Sequence, residues 1–258
     1  MDASFIQHNM DDSAAKRILI ENLMCHFSEG PAGWMNHFTG KSGLIGIVSS
    51  GKLRLSLYSD MCNDSTEGVY VQKLYQDVLG ECYYKKEISS EFFEAVRNPP
   101  LSFYRVFTDT SGESKVIRCK PYVVCFSQND DDEVMGERYY REPEGGWFTV
   151  DSKIYVFSNC GCLPNSHIDT SNLMEIYRVC YDEDVVKSRI YKMIMDFQGI
   201  DPNYYGLVSK YIGIVLSSIR IFVKNPIDDE GKDTRVEREF RLVVYFPCDD
   251  NFCKEHET

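Results

Sequence analysis

Asn36-His37-Phe38-Thr39, followed by Lys41–Ser50 and then Gly51-Lys52-Leu53-Arg54-Leu55-Ser56, is the stretch on which the reading of this chain turns. Trp34 to Thr39 reads as a short strand. A histidine and a hydroxyl two residues apart on a strand share one face. Leu44, Ile47 and Val48 fall at i, i+3 and i+4, which predicts a helix over 42–50 with one apolar face. Gly51 suits the left-handed stop of that helix. Leu53 and Leu55 alternate with Arg54 and Ser56, as on a half-buried strand. His37 and Thr39 therefore need partners from elsewhere in the chain.

The 258 residues suffice for one large domain or two small ones. Hydrophobic residues make up 43%, so a substantial core is expected and disorder is not the default. Aromatics make up 13%, which suits strands and a deep cleft, although any single aromatic is most simply a core residue. The net charge of −12 is opposite to that of a protein that grips nucleic acid through phosphate neutralisation. The opening Met1-Asp2-Ala3-Ser4 has neither a basic nor an apolar run, so no signal peptide is expected. No apolar run reaches the roughly 18 residues of a membrane span. Reduced thiols in a cytoplasmic protein are therefore expected for the 10 cysteines. A bacterial effector delivered into a host cytosol by a specialised machine would share these features.

Along the chain, apolar spacing predicts a helix over 14–27, capped by Ser13, within an N-terminal helical extension over 1–30. Further helices are expected over 69–79, 90–97 (with Ser89 or Ser90 as cap), 133–140, 185–197 and 204–221. Residues 102–118 are strand-like with a turn at Thr110-Ser111-Gly112-Glu113. Tyr122-Val123-Val124-Cys125-Phe126-Ser127, bounded by Pro121, is the clearest buried strand. Trp147 to Asp151, with an extension over 153–158, and Met174 to Tyr181 also read as strands. Residues 225–234 read as a charged, exposed loop, and 235–246 as the final strand. Without repeats or a linker, residues 1–258 read as one α+β domain.

Several constellations carry chemistry. Glu237-x-Glu239-x-Arg241 shares one face of the final strand. Two carboxylates and a guanidinium form either a solvated, salt-bridged face or a buried site, and the apolar run Leu242 to Phe246 brings the second reading level with the first. Ser127 ends a buried strand and equally fits a turn; no G-x-S-x-G accompanies it. Asn63-Asp64-Ser65-Thr66-Glu67 is an ordinary acidic turn without the ligands of a calcium loop. Cys160-Gly161-Cys162 and Cys248…Cys253 lack zinc-knuckle spacing, so no metal is expected.

In order, His37-Phe38-Thr39, Gly51-Lys52-Leu53-Arg54-Leu55-Ser56, Asn63-Asp64-Ser65-Thr66-Glu67, Cys125-Phe126-Ser127, Met135-Gly136-Glu137-Arg138-Tyr139, Gly145 and Glu237-Arg238-Glu239-Phe240-Arg241-Leu242 resemble a widespread bacterial family associated with the ADP-ribosyltransferase-like superfamily. The resemblance spans about residues 34–246. It departs from the family at Gly136, where a tryptophan is expected. It implies a split β-sheet core over 34–246 with peripheral helices, gripping NAD as co-substrate. His37 would bind the adenosine-side ribose, with Phe38 and Thr39 nearby. Ser127 would support the nicotinamide half, Tyr139 would line its pocket, and Arg241 would pair with a carboxylate or a phosphate. Glu239 would bind the nicotinamide ribose, and Glu237 would orient or deprotonate the acceptor. The implied activity is mono-ADP-ribosyl transfer to a macromolecule, protein being favoured over RNA or DNA, in a toxin, effector or phage-defence protein. An NAD glycohydrolase and a non-catalytic nucleotide- or protein-binding module are the alternatives.

Overall fold

A computed structural model describes residues 33–61, 67–108, 114–140, 144–151 and 174–248. The helix expected over 14–27, the acidic turn at Asn63–Thr66, the turn at 110–113, the extension over 153–158 and Cys160-Gly161-Cys162 lie outside these residues.

The sheet is antiparallel and built around one long strand. In chain order the strands are β1 (Trp34–Gly40), β2 (Ser56–Leu57), β3 (Tyr104–Thr108), β4 (Ser114–Ser127), β5 (Gly145–Asp151), β6 (Met174–Arg178) and β7 (Glu239–Pro247). The continuous run is β5-β1-β4-β7-β6, and β2 and β3 also pair with β4. At 14 residues, β4 is long enough to hold β3 along its first part and β7 along its second. Pro121 was expected to bound this strand, yet the strand runs through it. It sits across from Tyr245 of β7, where a residue without an amide donor is tolerated beside an open edge.

The helices are α1 (Lys41–Ser50), α2 (Tyr58–Met61), α3 (Glu67–Tyr84), α4 (Ser90–Val96), α5 (Asp132–Tyr139), α6 (Glu183–Gln198) and α7 (Tyr205–Ile219). Their starts follow local chemistry. Ser89 accepts from the Phe92 amide at 3.0 Å, Asp131 from Val134 at 3.2 Å, and Asp182 from Asp184 and Val185 at 3.0 and 3.1 Å. Gly51 closes α1 at φ 63°, its amide on the Ile47 carbonyl at 2.8 Å.

Three apolar clusters result. The largest joins α3, α4, α6 and α7 around Tyr75, Phe92, Ile190 and Phe197. Alternation along the strands separates the other two. Val123, Val243 and Tyr245 face Tyr58, Ile221 and Phe222 on one side of the sheet, while Val124, Phe126, Phe240 and Leu242 face Leu53 and Leu55 on the other. The fold is α+β, as expected. No helix among the described residues is long and apolar enough to cross a membrane.

Several boundaries differ from expectation. Val48 is 77% exposed and Leu44 and Ile47 are only half-buried, so the helix forms with its apolar face partly open. The strand expected over Leu53–Ser56 shortens to Ser56–Leu57. Residues 225–234 are not simply an exposed loop: Thr234 is buried and Asp228 lies 3.7 Å from Arg138. The final strand starts at Glu239, because 234–237 form a 3-10 turn capped by Asp233 and ended by Arg238 at φ 43°. The contrast between the helices is testable by urea denaturation. Ile190→Ala should cost about 2–5 kcal/mol, and Val48→Ala should fall within about 0.5 kcal/mol of the parent.

Candidate functional site

The end of β4 organises the site. Ser127 pairs with Asn36 of β1 on one side and with Glu239 of β7 on the other. Asn36↔Ser127 is the one register pair between β1 and β4. Beyond it β1 departs, and β2 does not meet β4 until Val123 and Tyr122. The sheet is thus split along the β4 edge at Val124 to Phe126. A cleft of about 1020 Å³ opens there, at the upper end of the roughly 300–1,000 Å³ usual for ligand pockets.

His37 bridges the split. Its Nδ1 lies 2.8 Å from the Cys125 carbonyl, which only accepts, so Nδ1 carries the proton and a neutral ring keeps Nε2 as an acceptor. Burial lowers the His37 pKa, partly offset by that bond, which favours the neutral form. Its ring packs against Phe126 and Phe148. Thr39 lines the cleft beside Gly43. Phe38 is buried, its ring between Tyr140 and Trp147 at 6.2 Å from each.

Register sorts these residues onto two faces. Residues directly paired share a face, so Asn36, not His37, stands on the face of Ser127 and Glu239. His37 belongs to the other face, with Phe126. Both sets line the same cleft because the sheet is split between them. Asn36 is itself buried, accepting from the Thr149 hydroxyl at 2.8 Å and donating to the Asn129 carbonyl at 3.4 Å.

Ser127 works on the protein's own backbone. Its hydroxyl donates to the Glu237 carbonyl and accepts from the Asn129 amide at 2.8 Å. The Asn129 side chain donates to the Val236 carbonyl at 2.8 Å. Ser127 and Asn129 therefore fix the 3-10 turn that carries Glu237.

Glu237, Glu239 and Arg241 are each 3% exposed, so the buried reading of this trio holds. Arg241 meets Glu239 through Nε at 2.8 Å and Nη2 at 3.3 Å, and donates to the Ile221 carbonyl at 2.7 Å. Arg138 of α5 bonds Glu237 at 2.8 Å and the Asp233 carbonyl at 2.7 Å. Lys224 lies between the carboxylates, 2.8 Å from Glu237 and 3.3 Å from Glu239. Tyr139 hydrogen-bonds Glu237; burial, then the Glu239 and Glu237 charges, raise its pKa and keep it a donor.

The two carboxyls diverge. Burial raises Glu237; Lys224 offsets part of this and the Glu239 charge adds to it, leaving Glu237 above the usual carboxylate range. Burial pushes Glu239 up too, but Arg241 and Lys224 outweigh it and hold Glu239 well below that range. One site thus holds a fixed anion beside a group that takes up a proton more readily.

Sequence reasoning missed Asn36 as a site residue, and also Lys224, Arg138 and Asp228. A lone lysine after the apolar run Ile221-Phe222-Val223 was the available signal for Lys224, since a buried carboxylate pair demands a cation. Gly136 proves to be a seat for an aromatic ring. A Cβ there would approach Tyr140 Cδ2 at 2.8 Å, and one at Gly145 would run into the same ring.

Among the described residues no group of three His, Cys, Asp or Glu side chains is placed to hold a metal ion. No protein family, curated protein or solved structure matches the chain.

Removing one partner of a buried ion pair strands the other. Arg241→Met should therefore cost about 3–5 kcal/mol in urea denaturation. A loss below about 1 kcal/mol, the size expected of an exposed pair, would show that Glu239 is not held by Arg241.

Proposed function

We propose that this protein is an NAD-dependent mono-ADP-ribosyltransferase built on an ADP-ribosyltransferase-like split sheet, modifying a macromolecular acceptor. The observation that carries the reading is the end of β4. Ser127 is paired there to both β1 and β7, so that His37, Ser127 and Glu239, drawn from three distant segments, line one cleft.

The residues suit the substrate. The cleft is large enough for a dinucleotide. A neutral His37 keeps Nε2 as an acceptor for a ribose hydroxyl. Glu239, held ionised by Arg241 and Lys224, is a fixed anion. Cleaving the bond to nicotinamide develops an oxocarbenium-like cation at the ribose, and a pre-set anion stabilises that charge more than the uncharged sugar. Glu237 is the partner that accepts a proton from the incoming nucleophile. Arg241 serves the carboxylate, and Tyr139 donates to Glu237 at the cleft wall.

The net charge of −12 favours a protein acceptor over RNA or DNA. The proposed setting is the cytosol, of the producing cell or of a host, as suits a toxin, effector or phage-defence protein.

Incubation with NAD labelled in the adenylate half, together with cell extract, should give a labelled macromolecule and free nicotinamide. Glu239→Gln should fold and lose at least about a hundredfold in rate, the scale of removing one charge-stabilising group. Free ADP-ribose without a labelled macromolecule would instead select NAD hydrolysis. Binding without turnover would select a non-catalytic module. Full activity of Glu239→Gln would remove that residue from the chemistry.

A further inference from the structure

Lys224 lies after α7 and is 9% exposed, its ammonium within reach of both carboxylates. Around the pair stand Arg138 and Tyr139 from α5, Cys125 from β4, Arg241 from β7, Tyr181 after β6 and Asp228 from the 225–234 segment. Arg241 gives two contacts to Glu239. Arg138 serves Glu237 and also faces Asp228 at 3.7 Å. Lys224 bonds both Glu237 and Glu239.

Two carboxylates this close in a dry site repel, and one of them protonates unless cations intervene. We propose that Lys224 is the positioning residue that lets the two carboxylates share one buried site, bonding both while Arg241 keeps Glu239 as the fixed anion and leaves Glu237 as the group that takes the acceptor's proton. The catalytic half of this assignment rests on the transferase reading; the charge sharing rests on the geometry alone. In the reaction, the bond between the ribose anomeric carbon and the nicotinamide nitrogen breaks and its electron pair leaves with nicotinamide. The acceptor's lone pair forms the new bond to that carbon. The acceptor's proton passes to Glu237 and then to water. Lys224, a compact ammonium with three donors, stays bonded to Glu239 when Glu237 becomes neutral.

The test is chemical denaturation of the full chain between pH 4 and 9, for wild type, Lys224→Met, Lys224→Arg and Glu237→Gln. Glu239, held below its ordinary pKa, stabilises the fold above the unfolded carboxylate pKa and loses that contribution as pH falls. Glu237, held above its ordinary pKa, stabilises below the unfolded value and loses that contribution as pH rises. Without Lys224 both carboxyls shift upward. The denaturation midpoint of Lys224→Met should therefore lie below wild type at pH 7, and the gap should narrow as pH falls toward about 4. Lys224→Arg should keep the wild-type pH dependence. A gap of equal size at every pH would make Lys224 a packing residue only and overturn the proposal. If Lys224→Met does not fold, Glu237→Gln decides. With Glu239 freed of a like charge and given all of Lys224, this variant should gain stability relative to wild type as pH rises from about 4 to 7, and a difference that does not change with pH overturns the proposal. NAD turnover is measured in parallel. A wild type that shows the pH signature but consumes no NAD defeats the transferase reading and leaves the charge sharing standing. Turnover without the signature does the reverse.

Discussion

An ionised carboxylate cut off from water costs tens of kcal/mol in an idealised dry medium, and Glu239 is 3% exposed. The cleft is arranged around compensating that cost. Arg241 stands two residues along β7, on the same strand face, and grips Glu239 at 2.8 Å and 3.3 Å. Lys224 arrives from the end of the α7 segment, and Arg138 from α5 takes the neighbouring Glu237. Three separate parts of the chain are thereby tied to one pair of acids. The same arrangement keeps Glu239 ionised and fixed in place inside the cleft.

The second constraint is steric and lies at Ser127. Its backbone is paired on both sides, and its hydroxyl is spent on the Glu237 carbonyl and the Asn129 amide. A residue expected to touch the ligand directly is thus better understood as the joint that holds β1, β7 and the Glu237 turn at one point. The sheet opens immediately beyond it, and His37 spans the opening to the Cys125 carbonyl. A sheet fully paired along this edge would leave no room for a ligand.

Much of the fold was legible because it rests on short-range patterns. A β-branched and aromatic run located Tyr122 to Ser127, and a serine cap located α4. The His37, Ser127 and Glu239 segments were legible as segments, and they do meet at one cleft. What escaped was set by tertiary placement. Nothing local says that Lys224 turns inward to meet acids thirteen and fifteen residues away. An unbroken strand from 235 would have put Glu237 on the face of Glu239, but a 3-10 turn ended by Arg238 at positive φ delivers it to the same cluster by another route. Register was equally unreadable, and it is what makes Asn36 rather than His37 the neighbour of Ser127. Gly136 stood where a tryptophan was expected; its meaning lay four positions on, in the ring of Tyr140.

The transferase reading requires a dinucleotide in this cleft. A ligand that binds only the folded state must raise its stability, by about 2.7 kcal/mol at a hundred times its Kd. The most direct measurement is therefore the thermal unfolding midpoint of the full chain with NAD, with ADP-ribose and with nicotinamide. The midpoint should rise with NAD concentration, and by more than with either fragment. An unchanged midpoint at millimolar NAD would contradict the transferase reading.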